Sequence, residues 1–230
     1  MPNCRKSAGK FDSTLTNELA YLIGVYLGDG CICFAKNNNN YFSLNAIDKE
    51  FVERTRNCLE KVLGKKIPIF LDNWGAINRG RAPLWKVVAY GKTFGQWLRE
   101  ISHHKNKIPS LIKEANREQQ KWFIAGIMDS EGYVSVTKRK NGNRRGSRVA
   151  MIGICCADKW LDDFVKMLQQ HGVKVGGKRE EQRIRPFHRK RYRYGLNIKS
   201  WLRSGCFFTI KRKIQKLEEY KTLRDCMLNV

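Results

Sequence analysis

Residues 22–30 (LIGVYLGDG) return in altered form as residues 124–132 (IAGIMDSEG). Each copy reads as a short apolar helix with small residues four apart. These are Gly24 and Gly28 in the first copy and Gly126 and Ser130 in the second, and a helix places each pair on one face. Each copy then ends in an acid followed by glycine, Asp29-Gly30 and Glu131-Gly132. Glycine inside a helix is destabilising unless close packing compensates, and small faces let two helix backbones approach. The pattern therefore calls for two similar halves whose motif helices pack on one another. If those helices pair in parallel about a pseudo-twofold axis, Asp29 and Glu131 emerge side by side. Adjacent carboxylates repel, so one takes up a proton unless a cation lies between them.

The surrounding chain follows the same repeat. Thr16-Asn17-Glu18 supplies a cap for a helix running to about residue 28. Strands are expected at 31–35 and 41–47 across a turn at 37–40, then a helix at 49–63 opened by Asp48 and stopped by Gly64. A second strand pair at 67–74 and 84–90 precedes a helix at 93–101. The order then recurs: a helix at 118–130, strands at 133–138 and 148–156, and a helix from Asp158 to His171 terminated by Gly172. Strands at 173–185 and 189–198 and a helix from Lys211 complete it. The predicted class is α+β, with two αββαββα halves at residues 1–101 and 118–230. The polar, basic segment 102–117 joins them.

Lys and Arg number 45 against 21 Asp and Glu, a formal net charge of +24. Such an excess resists compaction unless a polyanion neutralises it, so nucleic acid is the leading partner. A membrane is not indicated, because the apolar run 19–34 is too short to span a bilayer and contains Asp29. Residues 1–10 are polar and basic, so no secretory leader is expected. The eight cysteines show no pairing framework and no CxxC, which points to thiols in an intracellular, reducing compartment rather than to disulfides or zinc. Gly91-Lys92-Thr93 lacks the glycine that a phosphate loop needs at position 86, which is Lys.

Two carboxylates brought together suit Mg²⁺, an oxygen-seeking ion that keeps waters and shares its shell with substrate phosphates. Ca²⁺ or Mn²⁺ can substitute in such a site. A metal-activated water attacking a phosphodiester is the natural reaction.

Both segments resemble the LAGLIDADG motif of the homing endonucleases, the second matching in class at nearly every position. The likeness covers most of the chain, including Lys107-Ile108-Pro109 where such proteins often carry a K-x-P joining segment. Two motifs at this spacing resemble the single-chain, double-motif branch. The resemblance implies a monomer whose antiparallel sheets form a DNA-binding saddle, with the motif helices at the domain interface. It implies a double-strand break in a long DNA target, with metal-binding catalytic acids at Asp29 and Glu131. Gly28 and Ser130, directly ahead of the acids, join that metal set. It further implies a lysine near the end of each fourth strand, roughly Lys92 and Lys199, to organise water or stabilise charge. Either lysine also reads as an ordinary phosphate contact. Two departures stand out. Ala46 and Cys156 fall where members often carry a polar, water-positioning residue, and Leu27 replaces the motif's earlier aspartate.

On the expected DNA face, alternation places Arg183, Arg185, Arg189, Arg191 and Arg193 opposite Ile184, Tyr192 and Tyr194, which turn to the helices. Ser135, Thr137 and Arg139 share that face counting out from Glu131; Cys33, Ala35 and Asn37 are their counterparts from Asp29. The first half reads its half-site with Asn37–Asn40, Arg79, Arg81 and Lys86, and the basic loop 138–148, ending in Arg148, grips backbone. Arginine reads guanine or neutralises phosphate, and the sequence does not apportion the two. Unequal halves imply an asymmetric target. The alternative reading is a LAGLIDADG maturase that binds intron RNA without cutting DNA. A transcriptional regulator on the same scaffold is a weaker third, and no helix-turn-helix segment supports it.

Overall fold

The computed structural model describes residues 11–34, 40–73, 77, 82–138, 148–181 and 190–228, with the side chains of 137, 138, 148, 149 and 221–228 outside the description. The Thr16 hydroxyl accepts from the Leu19 amide at 3.2 Å and opens α1 (Asn17–Leu27). β1 (Cys31–Phe34), β2 (Asn40–Ala46) and α2 (Lys49–Leu63) follow. Gly64 stops α2 with φ 61°, the left-handed turn that glycine takes without a Cβ penalty. β3 (Ile69–Asp72), β4 (Leu84–Tyr90) and α3 (Lys92–Ile101) complete the first half. The second runs α5 (Arg117–Ser130), β5 (Gly132–Lys138), β6 (Arg148–Cys156), α6 (Leu161–Gln170), β7 (Arg179–Glu180), β8 (Tyr192–Leu196) and α7 (Ile198–Ser204). The joining segment carries a single turn of helix, α4 (Ser110–Lys113), and the chain ends in α8 (Lys211–Leu228).

Each half builds a four-stranded antiparallel sheet, in the orders β1-β2-β4-β3 and β5-β6-β8-β7. The α+β class and the twofold repeat are therefore as expected. Several elements differ. Of the expected strand 173–185, the described part (173–181) holds Arg179–Glu180 plus an isolated bridge between Val175 and Leu196, and 182–185 lie outside the described residues. Glycines at 176 and 177 lack the side chains that would pack a longer strand. The expected strand 189–198 stops at Leu196, because the Asn197 side chain accepts from the Ser200 amide and caps α7. That helix, not the one from Lys211, is the counterpart of α3, so α8 is an addition to the second half. Asp158 does not cap α6: the helix begins at Leu161, whose amide bonds the Asp158 backbone carbonyl at 3.2 Å.

The motif helices α1 and α5 pack directly on each other. A Cβ on Gly24 would strike the Phe123 carbonyl and lie 2.9 Å from the Ile127 nitrogen. One on Gly126 would strike the Tyr21 carbonyl and lie 3.0 Å from the Val25 nitrogen. The helices thus cross backbone to backbone, each glycine against the other helix. Residues 19–27 of α1 are all buried, packed chiefly against α5 and α2. α8 then reaches back to the first half, where the Lys211 amide donates to Glu50 at 2.9 Å and Arg212 pairs with Asp48.

Candidate functional site

The crossing brings the ends of α1 and α5 together, and with them the two acids. Glu131 Cγ lies only 3.4 Å from where Gly28 would carry a Cβ. Its carboxyl is pushed up to about 7, first by burial and then by the negative charge of Asp29, against the pull of Arg191. The Asp29 carboxyl is also raised, with burial again the largest cause and Lys105, Lys213 and Arg191 opposing it. Asp29 retains an open surface, so this burial reflects the mass of protein around it rather than exclusion from solvent. Two neighbouring carboxyls, each held above its ordinary range, ask for a cation. Among the described residues no third His, Cys, Asp or Glu joins them to close a cage. An open pair of oxygen donors fits an ion that takes the rest of its shell from water and phosphate.

Two lysines that sequence reasoning missed brace this centre. Lys105 donates to the carbonyls of Gly28 at 2.6 Å and Gly30 at 2.9 Å, on either side of Asp29. Lys213 donates to the carbonyls of Met128, Asp129 and Gly132 at 2.8, 2.8 and 2.7 Å, around Glu131. The carbonyls of Gly28, Met128 and Asp129 lie at the helix C-termini, where the last turn leaves carbonyls without intrahelical partners, and those of Gly30 and Gly132 lie just beyond. Burial lowers both ammonium groups, Lys213 to about 8. Charges reach across the molecule: Asp158 of the second half acts on Lys105 of the joining segment, and Asp48 of the first half acts on Lys213 of the second. An ammonium has three N–H donors. Lys213 therefore commits all of its donors to the backbone, whereas Lys105 has one that no described residue accepts.

Lys105 is delivered by an unusual turn, in which His103, His104 and Lys105 all take positive φ, at 47°, 59° and 67°. Such conformations are uncommon outside glycine and persist where the surroundings over-determine them. A string in the sequence pointed here, since Lys105-Asn106-Lys107-Ile108 recurs as Lys211-Arg212-Lys213-Ile214. Lys92 and Lys199 sit elsewhere, exposed in the first turns of α3 and α7, and are not among the main cations acting on the two acids.

The other expected site residues divide four ways. The Gly28 carbonyl is taken up by Lys105, and the Ser130 hydroxyl donates to the Gly126 carbonyl at 2.9 Å. On the outer sheet faces, Cys33 Sγ lies 3.6 Å from Cys31 Sγ, Lys86 faces Asp72 at 3.8 Å, and Ser135 pairs in register with Met151. Tyr194 turns inward, its hydroxyl donating to Asp162 at 2.7 Å, while Arg193 is exposed. Thr137 and Arg148 are placed by backbone register alone, opposite Val149 and Lys138. Asn37, Arg79, Arg81, Arg139, Arg183, Arg185 and Arg189 lie outside the described residues. Asn40 is buried as the first residue of β2, so the expected reading segment 37–40 loses that member.

Arg191 has the most consequential position. Its guanidinium donates to the Cys155 carbonyl and lies 3.5 Å from Glu131 and 4.0 Å from Glu181. Glu181 in turn accepts from Arg193 at 2.9 Å and from the Cys155 thiol at 3.2 Å. A second buried acid, Asp129, accepts from Tyr21 at 3.0 Å and from the Thr209 amide and hydroxyl; burial raises it to about 6. It occupies the position that Leu27 fills in the first motif, and it ties α1, α5 and the entry to α8 together.

No family model matches the chain. In sequence it is 28% identical over 236 residues to the uncharacterized protein MJ0398 of Methanocaldococcus jannaschii, covering 94% of this chain and 78% of that protein. It is 26% identical over 160 residues to the uncharacterized protein MJ0314 of the same organism, covering 66% of this chain and 57% of that one. Among solved structures it is similar to the homing endonuclease I-WcaI bound to its DNA recognition sequence, with a TM-score of 0.59, 14% identity and 94% of each chain covered. The LAGLIDADG homing endonuclease I-GzeII in complex with its DNA target is likewise similar, with a TM-score of 0.53, 9% identity, and 94% and 92% of the chains covered. At these identities the likeness is one of architecture. The chain has the two-domain fold of the LAGLIDADG homing endonucleases.

Proposed function

We propose that this protein is a metal-dependent DNA endonuclease that breaks both strands of a long, asymmetric duplex site. The observation that carries this reading is the pair of raised carboxyls, Asp29 and Glu131, at the end of a pseudo-twofold helix crossing. Two acids related in this way suit two backbones related in the same way, which is what opposite DNA strands present. The relatives of this architecture named above are bound to DNA, and the charge of +24 supports a polyanionic partner.

Mg²⁺ held by Asp29 and Glu131, with Gly28 and Ser130 flanking, would supply Lewis-acid polarisation of the phosphodiester and an activated water; Ca²⁺ or Mn²⁺ suits the same donors. The chain's own groups do the rest. Lys105 holds the backbone on both sides of Asp29 and has one N–H left to meet charge developing on the phosphate. Lys213 fixes the end of α5 and contributes a stationary positive field, its donors being fully engaged. Arg193, with Arg191 once it is displaced from Glu131, contacts the duplex in the second half, and Lys86 does so in the first. This inequality is why the target is asymmetric.

The test is cleavage of a large random duplex library with Mg²⁺, with Asp29→Asn/Glu131→Gln in parallel. Enrichment of one long site, cut by the parent and not by the double variant, is expected. Salt-sensitive binding without cleavage would transfer the assignment to a maturase, with structured intron RNA as the ligand.

A further inference from the structure

We propose that Arg191 is the standing counter-ion of Glu131 in the DNA-free protein, and that DNA frees Glu131 for a divalent cation by drawing Arg191 onto a phosphate. This rests on the reading of Asp29 and Glu131 as a cation-binding pair. Arg191 is held from three sides, by Glu131 at 3.5 Å, by the Cys155 carbonyl and by Glu181 at 4.0 Å. Its side chain is still 32% exposed, so a phosphate can reach it, whereas Glu131 is only 16% exposed.

The first half shows that this arrangement is an addition rather than a consequence of the fold. Strand register matches Phe70 opposite Lys86 with Arg179 opposite Arg193, and Asp72 opposite Leu84 with Glu181 beside Arg191. The ion pair Lys86–Asp72 is thus the counterpart of Arg193–Glu181. Leu84 stands where the second half has Arg191, and it has no charge to offer Asp29.

A guanidinium and a divalent ion at the same carboxylate repel each other, so Arg191 and metal compete for Glu131. Phosphate is a strong bidentate acceptor for arginine. Once Arg191 is engaged there, Glu131 loses its counter-ion while Asp29 remains beside it, and the pair's demand for a cation rises. Metal loading is thereby coupled to DNA, and the coupling is reciprocal, since metal at Glu131 releases Arg191 toward phosphate.

Mn²⁺ titrated into the DNA-free protein, with bound ion followed by electron paramagnetic resonance, tests this. Arg191→Ala and Arg191→Gln should bind Mn²⁺ at least about fivefold more tightly than the parent, the lower bound of ordinary coupling. Lys190→Ala removes the same charge from the adjacent exposed position, where screening weakens its reach, and should stay near the parent. Arg191 variants that bind Mn²⁺ no better than Lys190→Ala, or not at all, would overturn the gate. Asp29→Asn/Glu131→Gln separates the two levels. If it still binds Mn²⁺ like the parent, the carboxylate centre itself is wrong. If it loses binding while Arg191→Ala equals the parent, only the gate fails.

Discussion

At the helix crossing the two halves are close copies. Gly24 meets the backbone at Phe123 and Ile127, and Gly126 meets it at Tyr21 and Val25, each contact the near-image of the other. On the sheet faces the copies diverge. The first half sets Lys86 against Asp72 and has Leu84 beside them; the second sets Arg193 against Glu181 and adds Arg191 next to Glu131. Beneath the acids the divergence is subtler, with Lys105 bonded to two carbonyls and Lys213 to three. Symmetry is kept where backbones touch, since any side chain there is excluded by both partners. It is relaxed where side chains face outward and no second backbone confines them.

The sharpest way to break this comparison is at the crossing. Gly24→Val and Gly126→Val should each cost at least about 3 kcal/mol in urea unfolding, at or beyond the usual overpacking range, because the obstacle is backbone. Gly95→Ala, whose Cβ would meet Ile32 Cγ2 at 3.3 Å, gains helix propensity of about 1 kcal/mol and should be nearly neutral. A tolerated Gly24→Val would show that the helices do not cross as described.

Replacing the lysines by methionine sharpens it further. Each buried carbonyl left unsatisfied costs about 1–3 kcal/mol, so Lys213→Met should lose more stability than Lys105→Met. Equal losses would argue that the carbonyl cradles are not the main role of these lysines.

Acidity distinguishes the two arms more gently. Glu131 rises from 4.5 to about 7, so the metal-free native state keeps a proton that the unfolded chain has released between those values. The native state binding more protons, its stability falls as pH rises through that window and levels off above it. Glu131→Gln should flatten that part of a melting-temperature profile measured in chelator, and an unchanged slope would remove Glu131 as its source. The smallest effects belong to the sheet-face pairs. Lys86→Ala and Arg193→Ala should each change stability by no more than about 1 kcal/mol, the second more than the first because its pair is closer, at 2.9 against 3.8 Å.

The motif helices, the acids and most strands were legible in the sequence because each depends on spacing along a few residues. Gly24 and Gly28 announce a crossing, and Asp29-Gly30 announces its end. The bracing lysines were not legible, because each copy of the recurring K-x-K-I string offers two candidates. The structure uses the first, Lys105, from one copy and the second, Lys213, from the other. That choice is made by three consecutive left-handed residues at 103–105, which no residue type there demands. Asp48 and Asp158 read as helix caps; only the folded chain shows their charges acting on Lys213 and Lys105 respectively. Glu181 was obscured by the basic run around it, and the Thr209–Asp129–Tyr21 tie joins residues far apart in the chain.

The burial of α1 sets an order of events during synthesis. Residues 19–27 leave the ribosome well before the helix that covers one side of them, which is not complete until residue 130. Until then an apolar surface made to fit another backbone stands open, and contacts between such distant segments form slowly. The first half is therefore an incomplete folding unit. Released alone, it is left with a helix face that a second copy of itself, or an aggregate, would cover.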